Sequence, residues 1–166
     1  MVVIADTSPL NYLILIGHAE VLAALFGEVV IPPAVFDELS RQGTPARVRE
    51  FVHSKPDWLR VSAPVLASVV AAQEEALDDG EREAIALAEA IGSGVLLLID
   101  DEKGRAAAER RRIRVLGTLG VLDLAASQKL IDLPAALDNL LRTNFHVSRK
   151  LVDMLLDRDA LRRRTI

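Results

Sequence analysis

The chain has 166 residues, 51% hydrophobic and 27% charged, enough for one domain with its own core and far from the composition of a disordered protein. It has no cysteine, which excludes disulfides, thiolate nucleophiles and thiolate-built zinc or iron–sulfur sites, and His18, His53 and His146 lack the i,i+4 spacing of a zinc helix. A net charge of -4, from 20 Lys+Arg against 24 Asp+Glu, is not that of a protein that coats DNA, and 4% aromatic residues leave few stacking platforms for bases.

The elements alternate along the chain. VVIA at 2–5 reads as a buried parallel strand that ends at Asp6. Thr7 or Ser8 as cap and Pro9 at an early position predict a helix over 9–16, stopped near Gly17, with a second short helix over 18–26. EVVIP at 28–32 is the second strand, and PAVFDEL at 33–39 starts the helix that carries Glu38. A short helix over 46–53, an edge strand over 58–64 and a helix over 65–77 follow. Gly80 punctuates, and 81–91 is helical with Ala84, Ile85, Ala88 and Ile91 on one stripe. VLLLI at 95–99 is the clearest central strand and ends at Asp100 and Asp101. A charged helix over 102–112, a strand over 113–117 and a helix over 118–127 complete the pattern. This order predicts a three-layer α/β/α domain with a central, mainly parallel sheet. From about 134 the chain is helical only, with helices over 134–142 and 148–164 around an Asn-Phe-His turn. The expected organisation is a domain over 1–133 and a dependent helical extension over 134–166.

Charge is segregated. EEALDDGERE at 74–83 is mostly acidic, whereas 103–114 carries six basic side chains and one acid. Solvated helix faces account for such bias, and so does an acidic pocket on a partly basic surface. The basic end at Arg162, Arg163 and Arg164 offers RNA contacts or a frayed terminus. Trp58 reads as a packing residue. MVVIA has no basic residues before it, and every apolar run is far short of a membrane span, so a cytoplasmic protein without membrane contact is expected.

Asp6, Asp100 and Asp101 close two strands, and the carboxyl ends of strands line the ligand crevice in open α/β sheets. Glu38 follows the second strand, and Glu81 and Glu83 open the helix before the central one. Carboxylates gathered together repel unless a cation intervenes, and Mg²⁺ or Mn²⁺ matches oxygen ligands. Each acid also has a plain reading: Asp6 as a cap, Glu81 and Glu83 as favourable charges at a helix N-terminus, Asp101 as a turn residue. Gly117-Thr118-Leu119-Gly120 is not spaced as a phosphate loop and reads as a strand-to-helix turn with Thr118 as N-cap.

The segments VVIADTSPL, VVIPPAVFDEL, GEREAIALAEA and LLLIDDEKGRAAAERRRIRVLGTLGVLDLA, in that order, resemble the motifs of PIN-domain proteins. With the tail NFHVSRKLVDMLLD, the wording is similar to a subgroup related to VapC-type toxins. The resemblance covers nearly the whole chain and implies a metal-dependent endoribonuclease, the toxin of a toxin–antitoxin pair. It implies Asp6, Glu38, Glu83 and Asp101 as the acids that hold Mg²⁺ or Mn²⁺, with Glu81 and Asp100 as alternates. Thr7, Ser8 and Arg105 become supporting or substrate-contacting residues. RNA as substrate, a homodimer and a small antitoxin partner belong to the same implication. Glutamate at position 83, where aspartate is usual, supports a different expectation: a catalytically weak or inactive PIN-like module that binds RNA or protein. A phosphatase-like or signalling domain on the same sheet fits the motif order less well.

Overall fold

The computed structural model describes residues 1–65 and 77–164. Five parallel strands form one sheet in the order β3-β2-β1-β4-β5. They are β1 (Val2–Ala5), β2 (Val29–Ile31), β3 (Leu59–Val61), β4 (Val95–Leu98) and β5 (Arg114–Leu116). The helices are α1 (Thr7–Leu15), α2 (Glu20–Phe26), α3 (Pro33–Ser40), α4 (Ala46–Ser54), α5 (Asp79–Ile91), α6 (Glu102–Arg110), α7 (Thr118–Ser127), α8 (Leu133–Leu141) and α9 (Arg149–Arg164). The helix expected over 65–77 falls almost wholly outside the described residues.

The pleat explains why the strands are apolar throughout. Successive side chains point to opposite faces, and both faces are covered. Val3, Ala5, Val29, Ile31, Leu96 and Leu98 enter one core layer, which α1–α4, α7, α8 and α9 complete. Ile4, Val95, Leu97 and Ile99 enter the other, against Ala84, Ile85, Leu87 and Ala88 of α5 and Ala107 and Ala108 of α6. The three-layer α/β/α expectation is therefore met. The tail helices join the first layer through Leu133, Leu137, Leu140, Val152 and Leu155, all buried.

Chain order sets the position of the crevice. From β1 the chain moves to β2 and β3 on one side, then crosses to β4 and β5 on the other. The direction reverses between β1 and β4, whose register runs Val2 to Val95 through Ala5 to Leu98. The Asp6 amide donates to the Leu98 carbonyl at 2.9 Å, which extends the pairing up to the acids. The ends of β1 and β4 thus form the topological switch point where open α/β sheets bind ligands.

Several local expectations shift. Helix α1 begins at Thr7, so neither Thr7 nor Ser8 is its cap; Asp6 holds the N-cap position without a side-chain cap bond. Gly117, not Thr118, caps α7, because the Thr118 side chain is turned to Asp100. The edge strand near 58–64 is shorter than expected, spanning three residues. Trp58 packs near Phe51 at 6.0 Å between ring centroids, and its Nε1 donates to Glu20 Oε2 at 3.0 Å. Among the described residues no single helix is long and apolar enough to cross a membrane. Helices α1 and α2, apolar together, are broken from each other by a bend of 119°.

Candidate functional site

Asp6 stands at the centre of the switch point with 3% of its surface exposed. Its Oδ1 is buried and has no hydrogen-bond partner among the described residues. Burial pushes its carboxyl well above the usual aspartate range, the Thr7 amide works against that, and the negative charges of Asp78, Glu81 and Glu38 add to the rise. One ionised group here would be both desolvated and repelled.

Glu38 reaches this point from α3. Its Oε2 accepts from the Thr7 hydroxyl at 2.8 Å, so the residue after Asp6 ties the second acid to the first strand. Ser8 follows, half-buried on α1.

Glu81 comes from the first turn of α5. Asp78 is the N-cap, and Asp78 with Glu81 forms a capping box: the Glu81 amide donates to Asp78 Oδ1 at 2.8 Å and the Asp78 amide to Glu81 Oε2 at 3.0 Å. Burial raises the Glu81 carboxyl to about 7; the Asp78 amide opposes this, while the charges of Asp78 and Asp101 and a hydrogen bond with Asp101 reinforce it. Gly80 permits the approach, since a Cβ there would lie 3.3 Å from Asp6 Oδ1 and 3.4 Å from Asp78 Oδ1.

Glu83 lies two residues on and faces elsewhere. Its Oε2 accepts from the Ala34 amide at 2.8 Å. Pro33 opens α3 and has no N–H, so Ala34 carries one of the helix's early orphan donors, and Glu83 satisfies it. The fold brings Asp6, Glu38, Asp78, Glu81 and Asp101 into mutual influence, and it engages Glu83 at the α3 N-terminus.

The two acids after β4 also divide. Asp101 is the N-cap of α6, accepting from the amides of Lys103 at 2.8 Å and Gly104 at 3.1 Å. Asp100 turns to the other side and accepts from the Thr118 amide at 2.7 Å and the Thr118 hydroxyl at 2.6 Å. Burial raises the Asp100 carboxyl, against the two Thr118 hydrogen bonds and the charge of Arg105. Arg105 Nη1 contacts the Ile99 carbonyl at 3.4 Å. A Cβ on Gly117 would lie 2.9 Å from Asp100 Oδ1 and 3.1 Å from Arg105 Nη1, so the bare backbone of Gly117 is what admits this pair.

Two participants escaped the sequence reading. Asp78 belongs to the acid group, and its signal was the Asp-x-x-Glu spacing of a capping box. Tyr12 lies close enough to Asp100 that, after burial, this charge raises its hydroxyl pKa. Two of the terminal arginines are tied down rather than frayed. Arg162 pairs with Asp123 at 2.7 Å and Asp159 at 3.3 Å, and Arg163 with Asp159 and Asp132, both at 2.7 Å.

The donor chemistry suits a hard divalent cation, being all carboxylate oxygen around a buried, unpartnered Asp6 Oδ1. The arrangement is not yet a coordination sphere: among the described residues, no group of three or more His, Cys, Asp and Glu side chains is placed to hold a metal ion. Amides and hydroxyls occupy the carboxylates of Glu38, Glu81, Asp100 and Asp101 instead.

Fold and crevice together define a parallel α/β domain with acids gathered at its switch point. The PIN-domain family model DUF3368 matches residues 2–160, and the chain belongs to that family. No curated protein matches the chain significantly.

Proposed function

We propose that this PIN-family protein is an RNA-binding module with weak or absent nuclease activity, whose acidic crevice rests in a state held by protons and backbone amides. One observation carries this reading: each acid around Asp6 has a structural hydrogen bond, and no three of them converge on one point among the described residues. The nuclease association of the family and Arg105 beside Asp100 support a phosphate-bearing polymer as ligand. The test is a short single-stranded RNA incubated with the protein and Mn²⁺. Retention of the RNA on the protein without catalytic turnover is expected; many turnovers per protein molecule would overturn the reading.

The unpartnered Asp6 Oδ1 favours a second reading, a metal-dependent endoribonuclease. On that reading Asp6, Glu38, Glu81 and Asp101 would hold Mg²⁺ or Mn²⁺, with Glu83 and Asp100 as the alternates. A bound ion would supply a water activated near neutral pH and offset charge on phosphoryl oxygens. The chain's own residues position the site: Thr7 orients Glu38, Asp78 fixes Glu81, and Arg105 meets substrate phosphate. The toxin role, the small antitoxin and the homodimer belong with this reading. Co-purification with the product of a neighbouring reading frame and light scattering on the purified chain test them.

A further inference from the structure

The sequence motif that the acidic crevice leaves unused is the Asn-Phe-His turn of the tail. It returns the chain to the mouth of the crevice. Tyr12 of α1 donates its hydroxyl to Asn144 Oδ1 at 3.1 Å, and the rings of Tyr12 and Phe145 meet edge to face at 4.9 Å. Docked in this way, the turn and α9 face β5 and α7 across a cleft of about 610 Å³. That volume lies within the range of small-molecule sites, roughly 300–1,000 Å³.

The cleft has two chemically different ends. Its inner end is Asp100 with Arg105, next to the acids of the switch point. Its wall is apolar, from Leu116, Leu119, Val147, Leu151 and Leu155, with Phe145 beside them. His146 and Ser148, both exposed, supply polar groups at the rim. Within the fold Arg158 pairs with Asp123 at 2.9 Å, Asp100 accepts twice from Thr118, and the charge of Arg105 acts on Asp100. Arg105 reaches the Ile99 carbonyl at 3.4 Å, a long contact for a charged donor.

We propose that this cleft holds one unpaired nucleotide of a single-stranded RNA, its base against the apolar wall and its phosphate at Arg105. The proposal rests on the RNA-binding reading above and adds to it the site where the base is read. A nucleotide matches both ends of the cleft, because a base has apolar faces and polar edges while its phosphate complements a cation. An apolar peptide side chain would fill the wall and leave the Arg105 end unmatched. Residues of the tail turn then become determinants of base preference, separate from the acids.

The test uses the full chain, a short unstructured fluorescent RNA and EDTA, so that binding is read without turnover. Met154 lines the cleft with 48% of its surface exposed, which makes Met154→Trp a cleft-filling change at a tolerant position. Met154→Trp is expected to weaken RNA binding by about tenfold or more, a difference well outside measurement error. Exposed Leu130, outside the cleft lining, is the control, and Leu130→Ala should bind as wild type. Nucleoside 5′-monophosphates should displace the RNA, and ribose 5-phosphate, which lacks a base, should not. Should Met154→Trp fail to fold, His146→Ala and the displacement series decide the matter. Wild-type affinity in both variants, or equal displacement by ribose 5-phosphate, overturns the cleft assignment alone. Absence of RNA binding by the wild type overturns the RNA-binding reading with it. Loss of a co-purifying protein from Met154→Trp with RNA affinity intact makes the cleft a protein-docking surface and likewise overturns the proposal.

Discussion

At the scale of single residues, the crevice is a problem in proton affinity. Glu81 titrates near 7 in the folded chain against an ordinary glutamate value of 4.5. Between those values the folded state binds more protons than the unfolded state, so this residue's contribution to stability falls as pH rises through the window. Asp6 pushes in the same direction. Glu81→Gln keeps an acceptor for the Asp78 amide and removes the charge. Its unfolding free energy should exceed that of wild type at pH 8, by on the order of 1 kcal/mol, and the slope between pH 4.5 and 7 should flatten. Denaturant melts at a series of pH values check both points, and a slope unchanged by the substitution contradicts a buried, proton-hungry Glu81 as its source. The acids themselves were legible in sequence, since strand ends and helix starts are. Which of Glu81 and Glu83 faces Asp6 was not. Two residues apart on one helix turn they diverge by about 200°, because each residue of an α-helix adds about 100°, and a local pattern gives no reference direction.

Elements meet at the crevice through two unusual contacts. Thr118, fully buried, gives both its amide and its hydroxyl to Asp100, so the start of α7 is clamped to the end of β4. Thr118→Val keeps the shape and removes the hydroxyl donor. A loss of about 1–3 kcal/mol is expected from leaving Asp100 Oδ2 underbonded, measurable as a lower melting temperature. In α6, a Cβ on Gly104 would lie 2.5 Å from Ile99 Cδ1 and 3.0 Å from Glu81 Oε1. Gly104→Ala should therefore cost about 1–3 kcal/mol by overpacking, and it should disturb Glu81 as well as the core. Calorimetry reads the first effect and the pH slope of stability the second. The strands and most helices were legible because apolar runs and Pro or Gly punctuation are local signals. The role of Thr118 was not, since 18 residues separate it from Asp100, and a Ser/Thr before a helix reads locally as a cap.

For the whole molecule, the tail is fastened by charge as well as by apolar contact. Asp159 is buried on α9 and pairs with Arg162 and Arg163, which also reach Asp123 of α7 and Asp132 at the start of α8. Asp159→Ala leaves two guanidiniums short of a partner at the tail's packing face. Hydrogen exchange in α9 should then quicken while the amides of β1 and β4 stay protected, because the sheet core does not depend on that contact. Uniform loss of protection would contradict this. The helices of the tail were readable from composition, whereas a basic terminus gives no sign of which acids will meet it. At the switch point the carboxylates accept from amides and a hydroxyl, and among the described residues no three of them are placed to hold an ion. Titration calorimetry with Mn²⁺ near neutral pH tests this most directly, with Asp6→Asn as the reference. No saturable heat at micromolar Mn²⁺ is expected from either protein; tight, saturable binding by the wild type that Asp6→Asn abolishes would contradict it.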